Sequence, residues 1–325
     1  MEYLINKIMA IKSESDFEGL SLNLFDFQLK NNPVYAQYAS LILNNKAPNN
    51  IFEIPFLPID FFKKEQIICK GQGVEEVFLS SGTTGDKSKH LVADLSIYKK
   101  SYLQAFKQFY GDITDYCILA LLPSYQEGEG SSLIYMVDDL ITKSKHPKSG
   151  FYLGNLNALS DTIKELENKN QKTILFGVTY ALLDFAKEFP QHLQHTIIME
   201  TGGMKGKRKE MLKEEVHKIL KHSFVTENIH SEYGMTELLS QSYSKGDNIF
   251  KSPPWKKILI RDVNDPLSII GNNKTGGINV IDLANIYSCP FIATQDLGRT
   301  FDDDTFSVLG RFDNSDVRGC NLMVQ

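Results

Sequence analysis

Between residues 78 and 90 the chain reads FLSSGTTGDKSKH, a short apolar run that opens into hydroxyls, glycines and lysines. Ser80, Ser81, Thr83 and Thr84 offer hydroxyl donors, Gly82 and Gly85 let backbone N–H groups turn inward, and Lys87 and Lys89 carry positive charge. Phosphate oxygens take up just such donors. The spacing is not that of a Walker loop, because two residues separate Gly82 from Gly85 where that motif needs four. Ser/Thr/Gly clusters also fill ordinary surface loops, so taken alone the segment leaves phosphate binding and a plain turn both open.

Three later stretches add chemistry. HSEYGMTELLS follows a predicted strand and sets out Tyr233, Gly234, Thr236 and Glu237; QDLGR brings Asp296, and VLGRFDNSDVRG brings Arg311. METGGMKG places Gly202 and Gly203 at a strand end. Read singly, Tyr233 suits an apolar core and Glu237 a solvated first helical turn, where the macrodipole favours a carboxylate. His192 and His195, in PQHLQH, lack the Glu of a metalloprotease motif and read as solvated helix-end residues. His217 and His222, on an amphipathic segment, receive the same reading. Cys69, Cys117, Cys289 and Cys320 form no C-x-x-C pair, so neither a zinc site nor a disulfide framework follows. The first three adjoin apolar runs and read as core. Cys320, in VRGCNLMVQ, is either a small buried apolar residue or a thiol whose thiolate Arg318 could favour.

These groups need a scaffold. At 325 residues the chain suits one large α/β unit or two subdomains. The first seventy residues read as helices, with Phe17, Leu20, Leu24 and Phe27 on one face, ending in IPFLPIDFF, a proline-stiffened connector. From residue 75, EEVFLSS, YCILALL, TILFGV and HTIIMET alternate with helical stretches, which predicts a mainly parallel sheet covered by helices. After residue 250 the pieces become shorter and β-rich: KKILIRDV, GGINVIDLA, PFIATQDLG and FSVLGRF. The expected organisation is a helical N-terminus and α/β core over 1–250, a β-rich subdomain over 251–312 and a tail over 313–325. A net charge of −5 with no basic run argues against nucleic acid. No signal-peptide core or bilayer-length apolar run is visible, so a cytoplasmic enzyme or binding protein is the simplest expectation.

The motif order resembles the adenylate-forming superfamily, which includes acyl-CoA synthetases and adenylation domains. IPFLPIDFFKKEQI, SSGTTGDKSKH and YGMTELLSQSY further resemble the acyl-protein synthetases of the bacterial luciferase fatty-acid reductase system, from about residue 17 to the C-terminus. That resemblance implies a large α/β adenylate-forming domain, ATP and Mg²⁺, a carboxylic acid substrate of the fatty class, and an acyl reductase partner. It implies that Ser80, Ser81, Gly82, Thr83, Thr84 and Gly85 hold the β- and γ-phosphates, that Tyr233 packs on the adenine, and that Lys87 and Gly234 belong to the nucleotide site. Thr236 would bond the α-phosphate, Glu237 would hold Mg²⁺, Asp296 would accept from the ribose and Arg311 would bind ribose or phosphate. Gly202 and Gly203 would line the cleft, and Cys320 would accept the acyl group.

The sequence departs from the superfamily pattern in three places. Ser88 stands at the usual lysine of the loop, and Thr-Gly-Asp has become Thr294, Gln295 and Asp296. The chain ends at Gln325, so the mobile domain of about a hundred residues and its lysine are expected to be absent. Two other functions are compatible with the motifs: a ligase releasing a coenzyme A thioester, and a nucleotide-binding module without catalysis.

Overall fold

A computed structural model of the chain describes residues 2–44, 46–81, 87–123, 130–202 and 211–312. The helical N-terminus comprises α1 (Glu2–Met9), α2 (Glu14–Asn31) and α3 (Pro33–Leu43). Ser13 caps α2 by accepting from the Asp16 N–H. Asn32 ends α2 and caps α3, accepting from the Tyr35 N–H, with Pro33 where a helix tolerates proline. Phe17, Leu20 and Leu24 are buried as the spacing predicts, and Phe27 is half-buried.

This hairpin is bolted to the far end of the chain. Gln28 Nε2 donates to Ile286 O at 2.6 Å, and Asn32 Nδ2 donates to Ser288 O at 2.9 Å. The proline-stiffened connector then forms β1 (Leu57–Pro58) and the single turn α4 (Phe61–Lys64).

EEVFLSS is a strand, β2 (Glu76–Leu79), but it does not join the parallel sheet. It pairs antiparallel with β3 (Lys89–Val92) in a separate two-stranded hairpin. Beyond it lie α5 (Leu95–Tyr110), β4 (Cys117–Leu121), α6 (Ser132–Ser144), β5 (Gly150–Phe151) and α7 (Leu156–Asn168). Then come β6 (Thr173–Gly177), α8 (Thr179–Glu188), β7 (Thr196–Glu200), α9 (Lys213–Phe224) and β8 (His230–Tyr233). Strands β5, β4, β6, β7 and β8 lie side by side and parallel. Every residue of β4 and β6 is buried, as a strand covered on both faces requires.

The sheet does not stop there. β9 (Ser242–Ser244), β10 (Ile249–Lys251), β11 (Lys256–Arg261), β12 (Ile269–Ile270), β13 (Gly276–Asp282), β14 (Phe291–Thr300) and β15 (Phe306–Arg311) complete the described strands. Past β8 the same sheet continues as β9, β10, β15, β14, β13, β11 and β12, all antiparallel to their neighbours, while β1 runs parallel to β14. The later β-rich strands thus extend the sheet of the α/β portion, and β8 is the strand where parallel pairing gives way to antiparallel. Ligands of open α/β sheets bind outside the carboxyl ends of the parallel strands, and Tyr233–Glu237 leaves the carboxyl end of β8. No helix among the described residues is long and apolar enough to cross a membrane.

Candidate active site

The hairpin of β2 and β3 presents the Ser/Thr/Gly loop. Its base is closed by Ser80 N–H donating to Ser88 O at 3.1 Å and Ser88 N–H donating to Ser80 Oγ at 3.0 Å. Ser81 and Lys87 are exposed on either side of it. Gly82, Thr83, Thr84 and Gly85 lie outside the described residues, as do Gly203 and Cys320.

Along β3 and its approach, Ser88 and His90 share a face, and both point to the turn after β8. The Ser88 side chain lies near enough to the Glu237 carboxyl to lower its proton affinity, so the residue at the expected lysine position adjoins the acid of the second motif. His90 Nδ1 lies 2.8 Å from Thr236 O. Burial pushes the Glu237 carboxyl up, and the Ser88 side chain and the Arg311 charge pull it back.

The rest of that turn is held from behind. Lys256 Nζ donates to Ser240 O at 2.9 Å and to Tyr233 O at 3.4 Å, closing the two ends of Tyr233–Ser240 together. Asp282 accepts from the N–H groups of Leu239 and Ser240 at 2.8 and 2.9 Å and from the Ser240 hydroxyl at 2.6 Å. Asn285 Nδ2 donates to Glu237 O at 2.8 Å. Burial pushes Lys256 down to about 8, against the opposing pull of Asp282 and Glu232.

Tyr233 is buried against Phe250 and Phe306, with ring centroids 5.9 and 5.6 Å away. Its hydroxyl donates to Asp296 Oδ2 at 2.8 Å, and Arg311 Nε lies 3.5 Å from Asp296 Oδ1. Burial pushes Asp296 up, while Tyr233, Arg311 and Arg261 hold it down. Gly234 has a steric reason: a Cβ there would come within 2.3 Å of Glu232 Oε1. Burial raises that Glu232 carboxyl to about 7, despite Lys256.

The altered Thr294–Gln295–Asp296 segment is anchored through its substitution. Gln295 Nε2 donates to Asp60 Oδ2 at 2.7 Å, tying the segment to the IPFLPID connector. Arg261 braces it from the other side, donating to Thr294 O and Ile278 O. Gly202, at φ +76°, donates its N–H to Glu200 Oε1 at 2.8 Å. Burial opposes ionisation of Glu200, yet His217, Lys213 and Thr179 hold its carboxyl down at about 2. His217 is therefore not solvated as its helix suggested; it is buried 3.9 Å from Glu200.

Among the expected residues, Ser80 contacts Ser88, Tyr233 and Arg311 both meet Asp296, and the Glu237 carboxyl feels Ser88, Arg311 and Asp296, with Gly202 at the end of neighbouring β7. Sequence reasoning missed His90, Asn285, Asp282, Lys256 and Asp60. Asp282 and Asn285 are polar residues inside the apolar run GGINVIDLANIY, which is the one signal that marked them as internal partners.

The fold is that of the adenylate-forming enzymes. ATP-bound MatB from Rhodopseudomonas palustris is similar at 15% identity and TM-score 0.56, over 75% of this chain and 50% of that one. 2-Hydroxyisobutyryl-CoA ligase in its postadenylation state is similar at 8% identity and TM-score 0.65, over 92% and 68%. The luciferase-like enzyme of the nonluminescent mealworm Zophobas morio is similar at 15% identity and TM-score 0.52, over 75% and 59%. The chain spans about half the length of the MatB chain it matches. No curated protein sequence matches it. The chain belongs to the acyl-protein synthetase (LuxE) family, whose model matches residues 17–325.

Proposed function

We propose that this chain activates a carboxylic acid, of the fatty class, with ATP and passes the acyl group through Cys320 to an acyl reductase in the cytoplasm. The observation that carries the reading is the contact chain Tyr233–Asp296–Arg311 beside the His90–Thr236 contact, which joins segments far apart in sequence at the switch from parallel to antiparallel pairing. Family membership supports the same reading.

In this reaction a carboxylate oxygen attacks the α-phosphorus of ATP, a P–O bond forms, and pyrophosphate leaves with its electron pair. The protein's work is alignment and neutralisation of crowded oxygens. Ser80, Ser81, Gly82, Thr83, Thr84, Gly85 and Lys87 would hold the β- and γ-phosphates, and the Thr236 hydroxyl the α-phosphate. Tyr233 and Gly234 would border the adenine, Asp296 and Arg311 the ribose, and Gly202 and Gly203 the cleft wall. No group of three or more His, Cys, Asp or Glu converges as a metal site among the described residues. A lone carboxylate still fits Mg²⁺, which commonly takes one or two carboxylates and completes its shell with substrate phosphates. Glu237 would be that ligand, and the ion when bound supplies positive charge to the phosphates. In the second step the Cys320 sulfur, having lost its proton, attacks the acyl carbon; a thioester forms and AMP leaves.

Carboxylate-dependent ATP–pyrophosphate exchange across acids of graded length tests the first step, and silence across the whole panel refutes it. Cys320→Ser is expected to keep exchange and lose hydroxylamine-labile acyl label; label retained on the variant refutes the tail assignment.

A further inference from the structure

We infer that His90 is a positioning residue that locks the strand leaving the Ser/Thr/Gly loop onto the Thr236–Glu237 turn, a role that rests on the adenylation reading above. The joint is built at both ring nitrogens. Nδ1 meets Thr236 O at 2.8 Å, and Nε2 meets Asn285 Oδ1 at 3.1 Å. The orientation of the Asn285 amide is set independently, because its nitrogen donates to Glu237 O at 2.8 Å and to Cys289 O at 3.0 Å. The ring itself is completely buried and packs edge-on against Phe62, with centroids 5.9 Å apart.

Thr236 O can only accept, and Asn285 turns its oxygen to the ring, so a neutral imidazole donates to one of the two, and either bond ties the strand to an element remote in sequence. His90 also lies two residues beyond Ser88, on the same face of the chain, so the segment that binds the backbone of Thr236 also sets Ser88 beside Glu237. The Ser80–Ser88 base of the hairpin and the turn proposed to hold the α-phosphate are thereby held in one relative placement. Their relative placement is what an in-line displacement depends on, and neither group could keep it alone.

The test compares wild type with His90→Leu, which keeps the bulk and removes the donor, and His90→Asn, whose amide nitrogen can occupy the place of Nδ1. In pyrophosphate exchange, His90→Leu is expected to lower kcat about 100-fold while KM for ATP stays within about threefold, as for a small misplacement remote from the chemistry. His90→Asn is expected to recover about tenfold of that loss, since it restores the donor. A folded His90→Leu with wild-type kcat, or a His90→Asn no better than His90→Leu, overturns the inference. Hydrogen–deuterium exchange of peptides spanning 233–240 reads the joint without any turnover. Protection there is expected to fall about tenfold in His90→Leu, and unchanged protection overturns the joint. If wild type itself gives no exchange with any acid, the adenylation reading fails, and the protection measurement still decides the joint.

Discussion

The hydroxyl of Tyr233 donates to the carboxylate of Asp296 at 2.8 Å, across 63 residues of sequence, and Arg311 approaches the same carboxylate from the open side. Two residues assigned separately to adenine and to ribose are therefore one unit: the ring fixes the acid, and the acid is left facing Arg311.

This unit predicts an asymmetry. Asp296→Asn removes the charge that Arg311 pairs with and that would accept from a ribose. ATP affinity is expected to fall about tenfold or more, the scale of a lost charge-assisted hydrogen bond. Tyr233→Phe removes only the internal donor. It is expected to lower unfolding stability by about 1–2 kcal/mol and to change ATP affinity less than about threefold. Calorimetry with ATP and urea unfolding measure both; equal losses of affinity in the two variants would contradict the assignment of Tyr233 to support.

Gly234 carries the second prediction. Its missing Cβ makes room for Glu232 Oε1, so Gly234→Ala is expected to cost about 1–3 kcal/mol by overpacking. In a Glu232→Ala background the same change should cost under about 1 kcal/mol, because the clash is with that one side chain. A double-mutant cycle in urea gives the coupling, and additivity would refute the steric account.

The strands were legible because YCILALL, TILFGV and HTIIMET are apolar runs that must be buried on both faces. EEVFLSS looks no different, but partner choice is not written in a strand's own composition, and it pairs with KHLV instead. The candidate site residues stand out by type and order. Their supports do not, because each is a single polar side chain whose partner is remote: His90 reaches Thr236 across 146 residues, and Asn285 reaches Glu237 across 48. His217 was misread although a cue existed. It shares the face of α9 that buries Leu220 and Phe224, at spacings of three and seven.

Lys256 supports the third prediction. Burial makes its ammonium unfavourable by roughly 3 kcal/mol, from the fall between 10.5 and about 8, yet that charge ties Tyr233 O to Ser240 O. Lys256→Met relieves the buried charge and leaves the two carbonyls without their donor. Net stability at neutral pH is expected to change by no more than about 2 kcal/mol, while pyrophosphate exchange falls at least about tenfold as the turn loosens. Loss of several kcal/mol of stability with normal exchange per folded molecule would show that the lysine serves the fold alone.

The pH dependence of stability should be set by opposing buried groups. Burial lowers His90 and His230 to about 4 from the ordinary 6.5, so below about 6.5 the unfolded chain takes up protons that the folded one refuses. Stability is therefore lost as pH falls from about 6.5 to about 4, by roughly 3 kcal/mol for His90. Burial raises Glu232 from 4.5 to about 7, and there the sign reverses: between those values the folded state keeps a proton that the unfolded state has released. Stability is lost as pH rises through that window, again by roughly 3 kcal/mol. Where the windows overlap, from about 4.5 to 6.5, Glu232 offsets one histidine. Glu232→Gln should thus steepen the rise in urea midpoint from pH 4.5 to 6.5, and His90→Leu should flatten it. Curves for wild type and Glu232→Gln that run parallel across that interval would mean that the carboxyl at residue 232 ionises in the folded protein as it does in the unfolded chain.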